Sequence, residues 1–175
     1  GFAGNTRVRY GQGVTPLIFL DEPAAQNASI VGGKAAVLSR LMNAGHCVLP
    51  GVVIQAQSLD DFLAEKGWAE RADHGDPSLA EDIQSSRIGP ELAGALRSAV
   101  AGLGESVVVR SSGLDEDGEA ASWAGQFETV IGVRPGDETE RAILACWASA
   151  FGARAATYQN HCGEAGRVRL AVLIQ

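Results

Sequence analysis

Apolar positions along this chain recur in two rhythms, alternate and helical, and the switches between them mark its elements. Val14-Thr15-Pro16-Leu17-Ile18-Phe19-Leu20 is a short apolar run closed by Asp21-Glu22-Pro23, which predicts a strand and then a turn. After a polar link, Gly32-Gly33-Lys34 precedes Val37, Leu38, Leu41 and Met42 at helical spacing, ending at Gly45. The glycines and Lys34 are therefore expected at a helix start. Pro50 to Ile54 reads as a second strand. Ser58 with Asp61, and Ser78 with Glu81, have the spacing of helix-start boxes, and the polar stretch between them, Ala69 to Pro77, reads as a surface loop. Pro90 suits the first position of a helix over Pro90 to Ala101, whose Leu92, Leu96 and Val100 share one face.

Val107-Val108-Val109 then reads as a buried strand that delivers Arg110, Ser111 and Ser112 to a loop of small and acidic residues. Phe127 to Val133 is expected to return as a strand. A long helix follows, from Glu138 to Asn160, with Ile143, Leu144, Trp147, Phe151 and Tyr158 as its apolar face. Val168 to Gln175 reads as a final strand. The order of elements predicts an α+β fold, a mixed sheet flanked by helices, with residues 1–13 as a tail or remnant and 14–175 as one partial domain. A chain that stops on a strand suggests a piece of something longer.

Composition narrows the function classes. The chain has 175 residues, of which 46% are hydrophobic and 20% charged, so it belongs with ordinary globular proteins. Its net charge of -7 argues against a sequence-independent nucleic-acid surface, which needs clustered cations. The 3 cysteines, Cys47, Cys146 and Cys162, are widely spaced and form no disulfide framework, which fits a reducing, cytoplasmic setting. No apolar run approaches the roughly 18 residues a membrane helix needs, so no membrane partner is expected.

Two places carry candidate chemistry. Amides at a helix start attract anions, and Lys34 beside them would strengthen the attraction; the alternative is a glycine loop with a solvated lysine, because G-G-K lacks full P-loop spacing. Arg110 with Ser111 and Ser112 offers a guanidinium fork and two hydroxyls suited to phosphate, and the alternative is an arginine paired with the acidic loop. Asp115, Glu116, Asp117 and Glu119 in that loop read as a solvated face, and no metal site is assigned to them. His46, His74 and His161 form no recognisable triad.

Three separated segments, in order, carry a resemblance. VGGKAAVLSRLMNAGHCVLPGVVI (Val31 to Ile54), VVVRSSGLDEDGEAASWAGQFETVIGV (Val107 to Val133) and AILACWASAFGARAATY (Ala142 to Tyr158) resemble the N-terminal nucleotide-binding region of the phosphoenolpyruvate synthase and pyruvate phosphate dikinase family. The rifamycin phosphotransferases are close relatives. The resemblance implies the first lobe of an ATP-grasp-like domain. In it Lys34 and Arg110 would contact ATP phosphates, and Gly125 and Thr129 would belong to a loop closing over them, with Ser111 beside Arg110 kept as a nucleotide-binding candidate for its hydroxyl. Gln175, matching a glutamine at the end of the family's next strand, would face the nucleotide, and Arg154 would be structural.

The same resemblance implies a reaction in which ATP phosphorylates a histidine on a mobile domain, which passes the phosphoryl group to pyruvate or another acceptor. Mg²⁺ ligands, the second lobe, the phosphohistidine domain and the acceptor-binding domain would all lie outside this chain, which holds no catalytic residue of its own. Ala35 replaces a usual glycine, Gly113-Leu114-Asp115 replaces smaller residues, and Trp123 stands where Phe or Tyr is usual. Two other expectations remain beside this one: a stand-alone, non-catalytic nucleotide-binding or interaction module, and an antibiotic phosphotransferase of the same family.

Overall fold

The structure, a computed structural model, describes residues 16–114, 128–151 and 169–175. The expected tail, the acidic loop with Gly125, and Arg154, His161 and Cys162 lie outside the described residues. The α+β class is as expected. Five strands form one sheet in the order β1-β2-β5-β3-β4: β1 is Leu17–Phe19, β2 Val52–Ile54, β3 Val107–Gly113, β4 Thr129–Val133 and β5 Leu170–Ile174. The sheet was expected to be mixed, but each of its pairings is antiparallel. β5 closes it by lying between β2 and β3, with Ile174 opposite both Val52 and Val109.

Strand alternation sorts the sheet's side chains between two cores. Leu17, Val52, Ile54, Val107, Val109, Leu170, Val172 and Ile174 face one cluster. Against it pack α2 (Gln57–Glu65), α4 (Leu79–Gln84), α5 (Pro90–Val100) and α6 (Asp137–Ser149). Ile18, Val53, Ala171 and Leu173 face the second cluster, made with Val31, Ala35 and Ala36 of α1 (Ala28–Asn43). β5 is buried on both faces, which is why its sequence reads as an unbroken apolar run. α1 packs over β2, β5 and β3, while Thr129 of β4 is exposed and Ile131 is 77% exposed. One end of the sheet is thus covered on a single face.

Several boundaries differ from the periodic reading. α6 was expected to run to Asn160 but ends at Ser149, whose hydroxyl donates to the Cys146 carbonyl at 2.6 Å and so competes with the next helical amide. Ala69 to Pro77 was expected as loop but contains a short helix, α3 (Ala69–Asp73). Arg71 holds it by hydrogen bonds to Asp76, Asp82 and Ser78. The two start boxes do not act as caps: Ser58 is buried inside α2, and the Ser78 hydroxyl donates to Asp76 at 2.6 Å. β1 is shorter than its apolar run, and Leu20 leaves the strand into a turn before Pro23–Gln26.

Candidate functional site

The glycine pair does not start α1; it breaks it. Asn27 caps the first turn, its Oδ1 accepting from the Ser29 amide at 3.1 Å. Gly32 then adopts φ 78° and ψ 165°, outside helical values, so a second helical segment begins at Gly33 and Lys34 lies in its first turn. The glycine is required. A Cβ on Gly32 would lie 2.6 Å from the Ser112 carbonyl carbon and closer still to that residue's two oxygens. The Ala35 amide donates to Ser112 Oγ at 3.3 Å, which fixes the Lys34 turn over the end of β3.

β3 alternation places the predicted phosphate ligands. Arg110 pairs with Leu173 on β5 and Thr129 on β4, so all three side chains share the α1 face. Ser112 shares it too, two residues along the strand, a step of about 7 Å. The Arg110 Nε is buried and has no hydrogen-bond partner among the described residues. Buried polar groups almost always have one, so a guanidinium nitrogen left unpaired among the described residues, on the α1 face of the sheet, is a candidate donor to an incoming acceptor.

Ser111 is not brought to that face. Its hydroxyl points to the opposite side and donates to the Glu128 carbonyl at 3.1 Å. Its partner is the residue immediately before β4.

Gln175 sits further along the same face. Its backbone pairs with Val108, and its side-chain Nε2 donates to the Leu49 carbonyl at 3.0 Å. Gly51 makes that approach possible, since a Cβ there would lie 2.8 Å from Gln175 Cγ. Together Leu38, Leu41, His46, Cys47, Val48, Leu49 and Gln175 line a pocket of about 390 Å³. Lys34, Val37, Leu38 and Leu41 recur at i, i+3, i+4 and i+7, so they form one flank of α1 leading from the Lys34 turn to this pocket. The walls are mostly apolar, with the Gln175 amide and the His46 imidazole among them, the mixture common in small-molecule pockets.

The periodic reading missed the pocket's floor. Its signal was present in Val48 and Leu49, apolar residues in a link between helix and strand, with Leu49 71% exposed. A cavity of about 440 Å³ lies on the other face, among Phe62, Ile88, Leu92 and Trp147. It contains none of the predicted ligands. No group of three His, Cys, Asp or Glu side chains is placed to hold a metal among the described residues, and no helix there is long and apolar enough to cross a membrane.

Shifted ionisations lie away from this face. Burial, with the nearby Glu128 charge, pushes the Cys146 thiol up to about 12. Hydrogen bonds from Ser78 and then Arg71 hold the Asp76 carboxyl down at about 2.

The helix start that bears Lys34, the Arg110 Nε left unpaired among the described residues and the mostly apolar pocket before Gln175 lie on one face of the sheet. Residues 28–175 match the family model described as the pyruvate phosphate dikinase, AMP/ATP-binding domain. The chain belongs to that family. Among its relatives, the prodigiosin synthesizing transferase PigC of Serratia marcescens is 39% identical over 148 residues, covering 83% of this chain and 16% of the relative. A rifampicin phosphotransferase of Streptomyces sviceus is 35% identical, covering 89% of this chain and 20% of the relative. The phosphoenolpyruvate synthase of Aeropyrum pernix is 32% identical, covering 82% and 20%. The chain spans about a fifth or less of the length of these relatives.

Proposed function

We propose that this chain is the first ATP-binding lobe of a phosphotransferase, with Lys34 and Arg110 receiving the nucleotide phosphates and the pocket before Gln175 receiving the base. The observation that carries the proposal is the Arg110 Nε, buried without a hydrogen-bond partner among the described residues on the face where α1 presents the Lys34 turn. A guanidinium and an ammonium converging on a phosphate chain supply positioning and charge neutralisation, which is most of what phosphoryl transfer asks of a protein. Thr129, opposite Arg110, would add a hydroxyl at the mouth of the loop that precedes β4. Mg²⁺ would be held by residues outside this chain.

The acceptor belongs to the rest of the protein. The relatives bear names that point to phosphoenolpyruvate synthesis, rifampicin phosphorylation and prodigiosin synthesis, so the shared lobe is compatible with several acceptors. We infer a route in which ATP phosphorylates a histidine on a separate domain, which carries the group onward. Titration calorimetry with ATP on the wild type and on a Lys34→Ala, Arg110→Ala double variant tests the site. Binding is expected only in the wild type, and equal affinity in both would remove these residues from the site.

A further inference from the structure

We propose that Ser112 is a positioning residue for the anion site: it caps, from a distant strand, the helical segment that carries Lys34. This rests on the ATP-lobe reading above. Because Gly32 is non-helical, it occupies the cap position of the segment Gly33–Asn43, with Lys34 second and Ala35 third. The second and third amides of a helix are the ones a capping Ser, Thr, Asp or Asn side chain accepts from, as Asn27 does from Ser29. Gly32 has no side chain to offer, and Ser112 occupies the space one would need.

The hydroxyl that accepts from Ala35 instead is that of Ser112, 77 residues away in sequence. Ser112 is 0% exposed and pairs across the sheet with Ala171, which packs in the same cluster as Val31, Ala35 and Ala36. Asn27 caps the first turn in the ordinary local way, so the remote cap is particular to the turn that bears the lysine.

The consequence is mechanical. Arg110 and Ser112 project from the same face of one strand, so a cap drawn from Ser112 references the Lys34 turn to the arginine's own strand. Losing the hydroxyl leaves the Ala35 amide without its buried acceptor and lets the turn loosen, so phosphate would have to reorder it on binding. A nucleoside without phosphates would not sense the change, because the base pocket is built from Leu38 onward and is tied separately through Gln175 and Leu49.

The test uses the protein at its full encoded length and compares ATP with adenosine by calorimetry. Ser112→Ala is expected to weaken ATP binding about fivefold, the scale of a lost helix cap, and to leave adenosine affinity unchanged. If Ser112→Ala does not fold, Ser112→Cys keeps a side chain of the same shape while its larger sulfur accepts poorly, and the same ATP-specific loss is expected. Unchanged ATP affinity, or equal losses for ATP and adenosine, would overturn the positioning role while leaving the ATP-lobe reading intact. A wild type that binds neither ligand would remove that reading, and the inference with it.

Discussion

Arg110 and Thr129 stand directly opposite each other across the β3–β4 ladder, on the face of the sheet that carries α1, with Thr129 exposed. The arginine's Nε is buried there without a partner among the described residues. Such a donor costs about 1–3 kcal/mol of desolvation that no internal bond returns. Arg110→Met keeps the apolar stem and removes the orphan. It is expected to leave urea-denaturation stability unchanged or raised and to weaken ATP binding at least about tenfold. A clear loss of stability with ATP affinity retained would favour a salt-bridged, structural arginine.

Gly32 and Gly45 both have positive φ, at 78° and 87°, but only Gly32 is crowded, since nothing lies within 4 Å of a Cβ built on Gly45. Gly45→Ala should therefore cost about 1 kcal/mol, the left-handed backbone penalty alone. Gly32→Ala adds a collision with strand backbone and should cost about 3 kcal/mol or more. Paired denaturation curves measure the difference, and equal costs would mean that α1 can shift away from Ser112.

The thiols should separate by reactivity. Cys47 is exposed in the pocket wall, whereas Cys146 is buried with its thiol pushed up to about 12. Iodoacetamide at pH 8 should label Cys47 in the folded protein and spare Cys146 until denaturant is added, as site-resolved mass spectrometry would report. A folded pKa raised above the ordinary 9.0 also contributes stability that is present below pH 9 and lost as pH climbs toward 12. Cys146→Ala should flatten that alkaline slope.

Asp76 should govern part of the acid limb. Its carboxyl, lowered from 3.8 to about 2 by Ser78 and then Arg71, favours the fold when ionised. The contribution is complete above the unfolded value and disappears as pH falls through about 2. Asp76→Asn should show a weaker decline of melting temperature between pH 5 and 2. An unchanged slope would mean that the Arg71 cluster gives no pH-dependent support.

Most elements were legible because their residues serve one core at a time. The Pro90 helix and the Val107 strand carry a pattern that burial explains, and the Val168 to Gln175 strand an apolar run that burial on both faces explains. What was illegible depended on remote partners. Nothing near Gly32 announces that the lysine turn's cap will come from Ser112. Nothing near Ser111 reveals that its hydroxyl turns to Glu128 while its neighbour faces α1; that follows only from the register of β3. The Ser58 and Ser78 boxes had correct spacing, but Ser58 is claimed by burial and Ser78 by Asp76 and Arg71, contacts that sequence spacing does not encode.

The position of β5 has a consequence for synthesis. Among the described residues, the β1–β2 pair and the β3–β4 pair are joined through the ladders that Leu170–Ile174 makes to each. On a ribosome both pairs emerge long before the strand that joins them, so the sheet cannot grow from its first strand outward. Its halves must wait with apolar edges unpaired, which makes late closure the slow step to expect in folding and the moment of greatest exposure to aggregation.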